Sequence, residues 1–106
     1  MKAAMPILHL TPTDVAQHLH KGCFHLVDVR EPAEHAAERI DGAVLYPLSC
    51  FDPTKLPAGK IIFHCGIGKR SQAAIERCQA AGLTHNAHMA GGLQAWKLAG
   101  LPTKRR

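Results

Sequence analysis

Ile61-Ile62-Phe63-His64-Cys65-Gly66-Ile67-Gly68-Lys69-Arg70-Ser71-Gln72-Ala73-Ala74 decides how the rest of the chain is read. An apolar run too short for an isolated helix ends at a cysteine. Two glycines and two cations follow, and then an Ala-rich helical pattern begins with Ser71 placed as a candidate cap. The stretch reads as strand, tight loop and helix. Parallel α/β sheets bind ligands where strands end and helix N-termini begin, so Cys65 is the candidate nucleophile. Helix dipole, unpaired first-turn N–H groups, Lys69 and Arg70 all favour its thiolate. Gly66 and Gly68 let the backbone take positive φ and curl its N–H groups into an anion-holding nest around the sulfur. A cysteine at a strand end is often only a small core hydrophobe; the glycines, cations and abrupt helical period argue for chemistry.

Working outward, strands alternate with helices. Ile7-Leu8-His9-Leu10 is a short strand, and Thr11-Pro12-Thr13-Asp14 starts a helix that Gly22 ends. Phe24 to Arg30 reads as a strand with a charged end, and Glu31-Pro32 opens a helix over 33–38. Ala43 to Tyr46 is a third strand, and Pro47 to Pro57 a loop with one weak helical turn. Lys60 to His64 precedes the helix from Ser71 to Ala81, stopped by Gly82, and His85 to Met89 is the last strand. Gly91-Gly92 lead into Leu93 to Leu98, where Trp96 serves as a core anchor, and Gly100 and Pro102 close the pattern. The expectation is a single α/β domain over 1–106, with a core at about 7–102 and a basic tail at 103–106. Its sheet has about five mostly parallel strands, with helices on both faces.

The 106 residues, 46% hydrophobic, suffice for one core and not two. The formal charge is +5, of which Lys104, Arg105 and Arg106 supply three units, leaving +2 for the body. No aromatic stripe interleaves with the cations, so nucleic acid is not an expected partner; a small anion or an acidic protein fits the charge. Pro6 and His9 interrupt any signal-like apolar run, and nothing approaches the roughly 20 apolar residues of a membrane span. A soluble cytoplasmic protein is expected. Cys23, Cys50, Cys65 and Cys78 include no C-x-x-C pair and read as free thiols. Cys23-x-His25 and His85-x-x-His88 miss the common zinc spacings, so no metal is expected. His64 neighbours the nucleophile but alternates to the opposite face of its strand, and no role is assigned to it.

Val27-Asp28-Val29-Arg30-Glu31, Arg39-Ile40-Asp41-Gly42-Ala43, Cys65 to Ser71, Gly91-Gly92-Leu93-Gln94-Ala95-Trp96 and Ala99-Gly100-Leu101-Pro102 follow one another over nearly the whole chain. Together they resemble the successive signatures of a single-domain rhodanese. The resemblance implies a parallel α/β domain whose cysteine carries sulfane sulfur as a persulfide, without a cofactor, in an active-site loop from Cys65 to Arg70. The chain departs from the family's frequent Gly-His-Ile-Pro-Gly-Ala in having Glu38-Arg39-Ile40-Asp41-Gly42-Ala43, which changes charge near the second helix.

Loop length separates two chemistries. Cysteine phosphatases of related fold need C-x-x-x-x-x-R, whose arginine clamps two phosphate oxygens; here the sixth residue after Cys65 is Ser71, and Arg70 comes one position early. The shorter ring suits a single extra sulfur. A phosphate ester would also need a general acid for its leaving group, whereas thiosulfate releases sulfite unaided. The expected reaction is sulfur transfer from thiosulfate or a persulfide donor, through a Cys65 persulfide, to cyanide in vitro or thiols in the cell. Gly66, Ile67, Gly68, Lys69, Arg70 and Ser71 are the expected donor-binding residues. Asp28 and Arg30, at a strand end, are candidates for structural support. The alternatives are a persulfide carrier that serves a protein partner and, behind it, a cysteine phosphatase or arsenate reductase.

Overall fold

The computed structural model of the chain describes residues 5–106; the sequence reading of Met1 to Ala4 lies outside the described residues. In chain order the elements are β1 (Leu8–Leu10), α1 (Pro12–Lys21), β2 (His25–Asp28), α2 (Pro32–Ala37), β3 (Glu38–Arg39) and β4 (Val44–Leu45). After two 3-10 turns (Leu48–Cys50 and Pro53–Lys55) come β5 (Ile61–His64), α3 (Lys69–Ala80), β6 (Ala87–Met89), α4 (Gly92–Leu98) and β7 (Lys104–Arg105). Five strands form one parallel sheet in the order β1-β6-β5-β2-β4. No described helix is long and apolar enough to cross a membrane.

Strand alternation divides the core into two layers. Val27, Val29, Ile61, Phe63 and Cys65 face α3, where they meet Ala74, Ile75 and Cys78 and are roofed by Leu48, Phe51 and Leu56 from the 3-10 segment. Leu26, Ile62 and Met89 face the opposite way, against Val15 of α1, Ile40, and Leu93 and Trp96 of α4. Helices therefore cover both faces of the sheet, and Phe63 on the central strand is fully buried. Burying such a side chain contributes about 1.5–3 kcal/mol, so β5 is fixed strongly just before it delivers Cys65 to the loop.

Local chemistry sets the helix ends. Thr11 and Asp14 form a reciprocal capping box on α1, and Gly22 closes that helix in the left-handed region. Glu34 makes the equivalent back-bond to the Glu31 N–H at the start of α2. At the end of α3 the Leu83 N–H reaches Cys78 O and the Gly82 N–H reaches Gln79 O, a Schellman closure.

Several boundaries differ from the sequence reading: α2 ends at Ala37 with Glu38 already in β3, and β6 begins at Ala87 rather than His85. β2 stops at Asp28: the Val29 N–H still donates to His64 O at 2.9 Å, but the Arg30 N–H turns away and donates to the Asp28 carboxylate. α3 begins at Lys69 rather than Ser71, with Gly68 as its N-cap at φ 105°, so Ser71 is a buried third-position residue and not the cap. The basic residues at the end of the chain form β7, antiparallel to β3, with Glu38 opposite Arg105 and Arg39 opposite Lys104.

Glu38 holds that C-terminal pairing. Its carboxylate accepts from Lys97 Nζ at 2.8 Å, Thr103 Oγ1 at 2.6 Å and Arg105 Nε at 3.2 Å. The Lys97 hydrogen bond above all, then those from Thr103 and Arg105, lowers its pKa from 4.5 to about 2. A depressed carboxylate stabilises the fold fully above 4.5 and loses that contribution as pH falls toward 2. Protection of the Arg106 amide, which donates to Ala37 O just beyond this pair, is therefore expected to weaken between those pH values. Hydrogen exchange along an acid titration checks this, and Glu38→Gln should remove the pH dependence.

Candidate active site

Cys65 follows β5 directly and is 0% exposed. The chain then doubles back through Gly66, Ile67 and Gly68, so the Gly68 N–H donates to the Cys65 Sγ at 3.1 Å and the Ser71 N–H, in the first turn of α3, at 3.4 Å. Two backbone dipoles and the positive end of a 12-residue helix thus converge on one sulfur. They stabilise negative charge there, which is the requirement for a nucleophilic thiolate. Ile67 sits at the tip of the loop, 56% exposed.

The loop is held from its far side by α4. Leu93 N–H donates to Cys65 O at 2.8 Å and Gln94 N–H to Gly66 O at 3.1 Å. The approach is so close that a Cβ on Gly92 would stand 2.4 Å from Cys65 O and 2.6 Å from Gly66 O. The sequence reading assigned Gly91-Gly92 to a tight start of the last helix; their contact with the cysteine loop is visible only in three dimensions.

The two cations of the loop differ in circumstance. Arg70 forms a two-pronged pair with Glu34 of α2, at 2.7 and 2.9 Å. That hydrogen bond, foremost, lowers the Glu34 pKa from 4.5 to about 2, and the same bond raises that of Arg70. Lys69 is exposed, and among the described residues it makes no ion pair. Glu34 is thus a residue of the site that sequence reasoning missed; the pattern Glu31-x-x-Glu34 behind a charged strand end is the signal that it is ordered.

Asp28 and Arg30 lie beneath the loop on the opposite side of the sheet from Cys65. Arg30 Nε and Nη2 embrace the Asp28 carboxylate at 2.8–3.2 Å, and Arg30 also donates to Glu38 O at 2.8 Å, which ties β2 to the end of α2. His64 is fully buried on that same side, its Nδ1 3.2 Å from Cys65 O and its Nε2 3.6 Å from Asp28 Oδ2. Burial lowers its pKa, against the opposing pull of Asp28, so it stays neutral.

All four cysteines are free. Cys78 is on the buried face of α3, and desolvation pushes its pKa up to about 11, which makes it a poor nucleophile; Cys23 and Cys50 are exposed and lie outside the loop. Among the described residues no three His, Cys, Asp or Glu side chains converge as a metal-ligand set.

The fold matches known proteins. The chain is 34% identical over 93 residues to the probable adenylyltransferase/sulfurtransferase MoeZ of Mycobacterium tuberculosis, a match that covers 82% of this chain and 24% of that protein. It superposes on a rhodanese-related protein from Thermoplasma volcanium with a TM-score of 0.79 and 27% identity, covering 91% of this chain and 96% of the other. It also superposes on the thiosulfate sulfurtransferase of Pseudomonas aeruginosa with a TM-score of 0.77 and 25% identity, covering 98% of this chain and 20% of that one. The chain spans about half or less of the length of the curated relatives it matches, 54% and 24%. The family model described as a rhodanese-like domain matches residues 11–99. By that match, and by the strand–loop–helix that carries Cys65, this chain belongs to the rhodanese-like domain family.

Proposed function

We propose that the protein is a sulfurtransferase that takes sulfane sulfur from thiosulfate onto Cys65 and passes it to a thiophilic acceptor. The observation that carries this reading is the pair of N–H groups, from Gly68 and Ser71, aimed at a buried sulfur. The Cys65 thiolate attacks the outer sulfur of thiosulfate, the S–S bond of the donor breaks with its electron pair leaving on sulfite, and the added sulfur stays on Cys65 as a persulfide. A second nucleophile, cyanide in vitro or a thiol in the cell, removes it and returns the thiolate. The names of the M. tuberculosis and P. aeruginosa relatives, a sulfurtransferase and a thiosulfate sulfurtransferase, support the reaction class. A reducing cytoplasmic setting, in which Cys65 stays unpaired, suits it.

Arg70 weighs against phosphoryl transfer. It arrives one residue early and already holds the Glu34 carboxylate with two N–H groups, so clamping two phosphate oxygens would compete with that pair. Thiocyanate formation from thiosulfate and cyanide, measured beside hydrolysis of an aryl phosphate, tests the assignment; phosphatase turnover without thiocyanate would overturn it.

Lys69, exposed and without an ion pair among the described residues, is a loop cation that can attract an anionic donor. Lys69→Ala is expected to raise the KM for thiosulfate about threefold to tenfold with kcat nearly unchanged, the scale of one exposed charge. Raising the salt concentration should shrink that difference. Steady-state kinetics at two ionic strengths provide the check.

A persulfide carrier is the second reading, and the complete burial of Cys65 favours it, because a closed site needs something to open it. A protein donor docking over exposed Ile67 and Lys69 would do so. Sulfur acquired from a persulfidated protein but not from thiosulfate would select this reading.

A further inference from the structure

Cys65, Phe63, His88 and His9 stand on the α3 side of the sheet. β5 pairs Phe63 with His88, and β6 pairs His88 with His9 in turn. On that face Ser71 Oγ lies 3.7 Å from the Cys65 Sγ, 3.1 Å from Gly68 O and 2.7 Å from the His88 Nδ1. The His88 Nε2 lies 2.7 Å from the His9 Nδ1. Ser71 is 0% and His88 1% exposed, whereas His9, on the edge strand, reaches solvent. A continuous hydrogen-bonded file therefore runs from a sealed thiol to the surface of the sheet edge.

Resting on the sulfurtransferase reading, we propose that Ser71, His88 and His9 relay the Cys65 thiol proton to solvent, with His88 and His9 as positioning residues for thiolate formation.

Hydrogen-bond valence permits two self-consistent arrangements of the file. In the thiol form, Cys65 S–H donates to Ser71 Oγ, Ser71 O–H to His88 Nδ1, and His88 Nε2–H to His9 Nδ1. In the thiolate form, His9 Nδ1–H donates to His88 Nε2, His88 Nδ1–H to Ser71 Oγ, and the Ser71 hydroxyl turns to the sulfur or to Gly68 O. Each proton moves one bond along the file. Cys65 loses one, His9 gains one and becomes cationic, and its Nε2 then gives a proton to water; nothing is oxidised or reduced.

The surroundings fit such a path. Burial first, and His9 second, lower the His88 pKa, so His88 stays neutral and keeps one bare ring nitrogen, as a relay needs. Around the sulfur, Arg70 is paired with Glu34 of α2 and Lys69 faces solvent. His64, Asp28 and Arg30 are engaged together on the other face. Among the described residues, Ser71 Oγ is the acceptor within reach of a proton on this unexposed sulfur.

Two readouts test this. The first is the rate of persulfide formation from thiosulfate in His88→Gln, whose amide can still donate to Ser71 but cannot shuttle a proton, and in His9→Gln. A fall of about tenfold near pH 7, narrowing in alkaline solution where hydroxide takes the proton instead, is expected. An unchanged rate, or an equal loss at every pH, would overturn the proposal. The second is imidazole 15N spectroscopy of the wild type across ionisation of Cys65. The His88 Nδ1 signal should change from acceptor to donor, and Cys65→Ser should abolish that change. A His88 tautomer that ignores the state of Cys65 would also overturn it. The nitrogen spectra need no sulfur transfer, so a wild type that takes no sulfur would refute the proposed function and leave the relay to be decided by them.

Discussion

Cys65→Ser is expected to lower thiosulfate-dependent sulfur transfer by at least about a thousandfold while leaving the fold intact. A serine hydroxyl is not appreciably ionised near neutral pH and forms no persulfide, so the proposed double displacement would lose its carrier. The structural consequence is small. Serine is slightly smaller, and its oxygen can accept from the same Gly68 and Ser71 N–H groups that now reach the sulfur. Melting temperature and circular dichroism should stay close to wild type, with stability changed by about 1 kcal/mol or less. Turnover retained in this variant would move the chemistry elsewhere. No other thiol is well placed to take it over, since Cys78 is buried with its pKa near 11 and Cys23 and Cys50 lie outside any comparable cradle.

Gly92→Ala is expected to damage stability and activity together. Its φ of +61° already disfavours any side chain, and the new Cβ would lie 2.4 Å from Cys65 O, inside van der Waals contact with backbone that has nowhere to yield. Strain and overpacking together amount to about 2–4 kcal/mol, a large fraction of a small domain's stability. Relief requires α4 to retreat, which breaks the bonds from Leu93 and Gln94 to the loop carbonyls and lets the Cys65 cradle shift. Gly22→Ala is the matched control. Gly22 also has positive φ, at 68°, but a Cβ there meets nothing within 4 Å, so only backbone strain of about 1 kcal/mol applies and sulfur transfer should be unaffected. Thermal melts and persulfide-formation rates of the two variants, side by side, separate loop support from glycine strain. Equal effects would remove the role assigned to the α4 contact.

What was legible in the sequence was local. The apolar run of β5, the glycines and the helical period of α3 lie within 20 residues and carry their own pattern, which is why the strand–loop–helix could be read. The parallel α/β arrangement followed from repeated strand–helix alternation. Contacts between distant segments left no such trace. Glu34 reaches Arg70 across 36 positions, and His9 reaches His88 across 79. Neither pairing changes any periodicity. β3 and β7 are two residues each, charged and exposed or half-buried, so neither hydrophobic alternation nor β-branched composition announces them. Their cause is Glu38, whose three side-chain donors come from α4 and the end of the chain. Ser71 looked like a cap because serine so often is one. Gly68, free to take φ 105°, starts the helix earlier and turns the Ser71 hydroxyl inward toward His88.

Intact-mass spectrometry of the wild type after incubation with thiosulfate, with peptide mapping and then cyanide treatment, tests the central claim most directly. A gain of one sulfur atom, roughly 32 Da, located on the Cys65 peptide and lost on adding cyanide is the predicted result for a covalent persulfide intermediate. An unmodified Cys65 with thiosulfate and with a persulfidated protein donor alike, or a sulfur located on another cysteine, would contradict it.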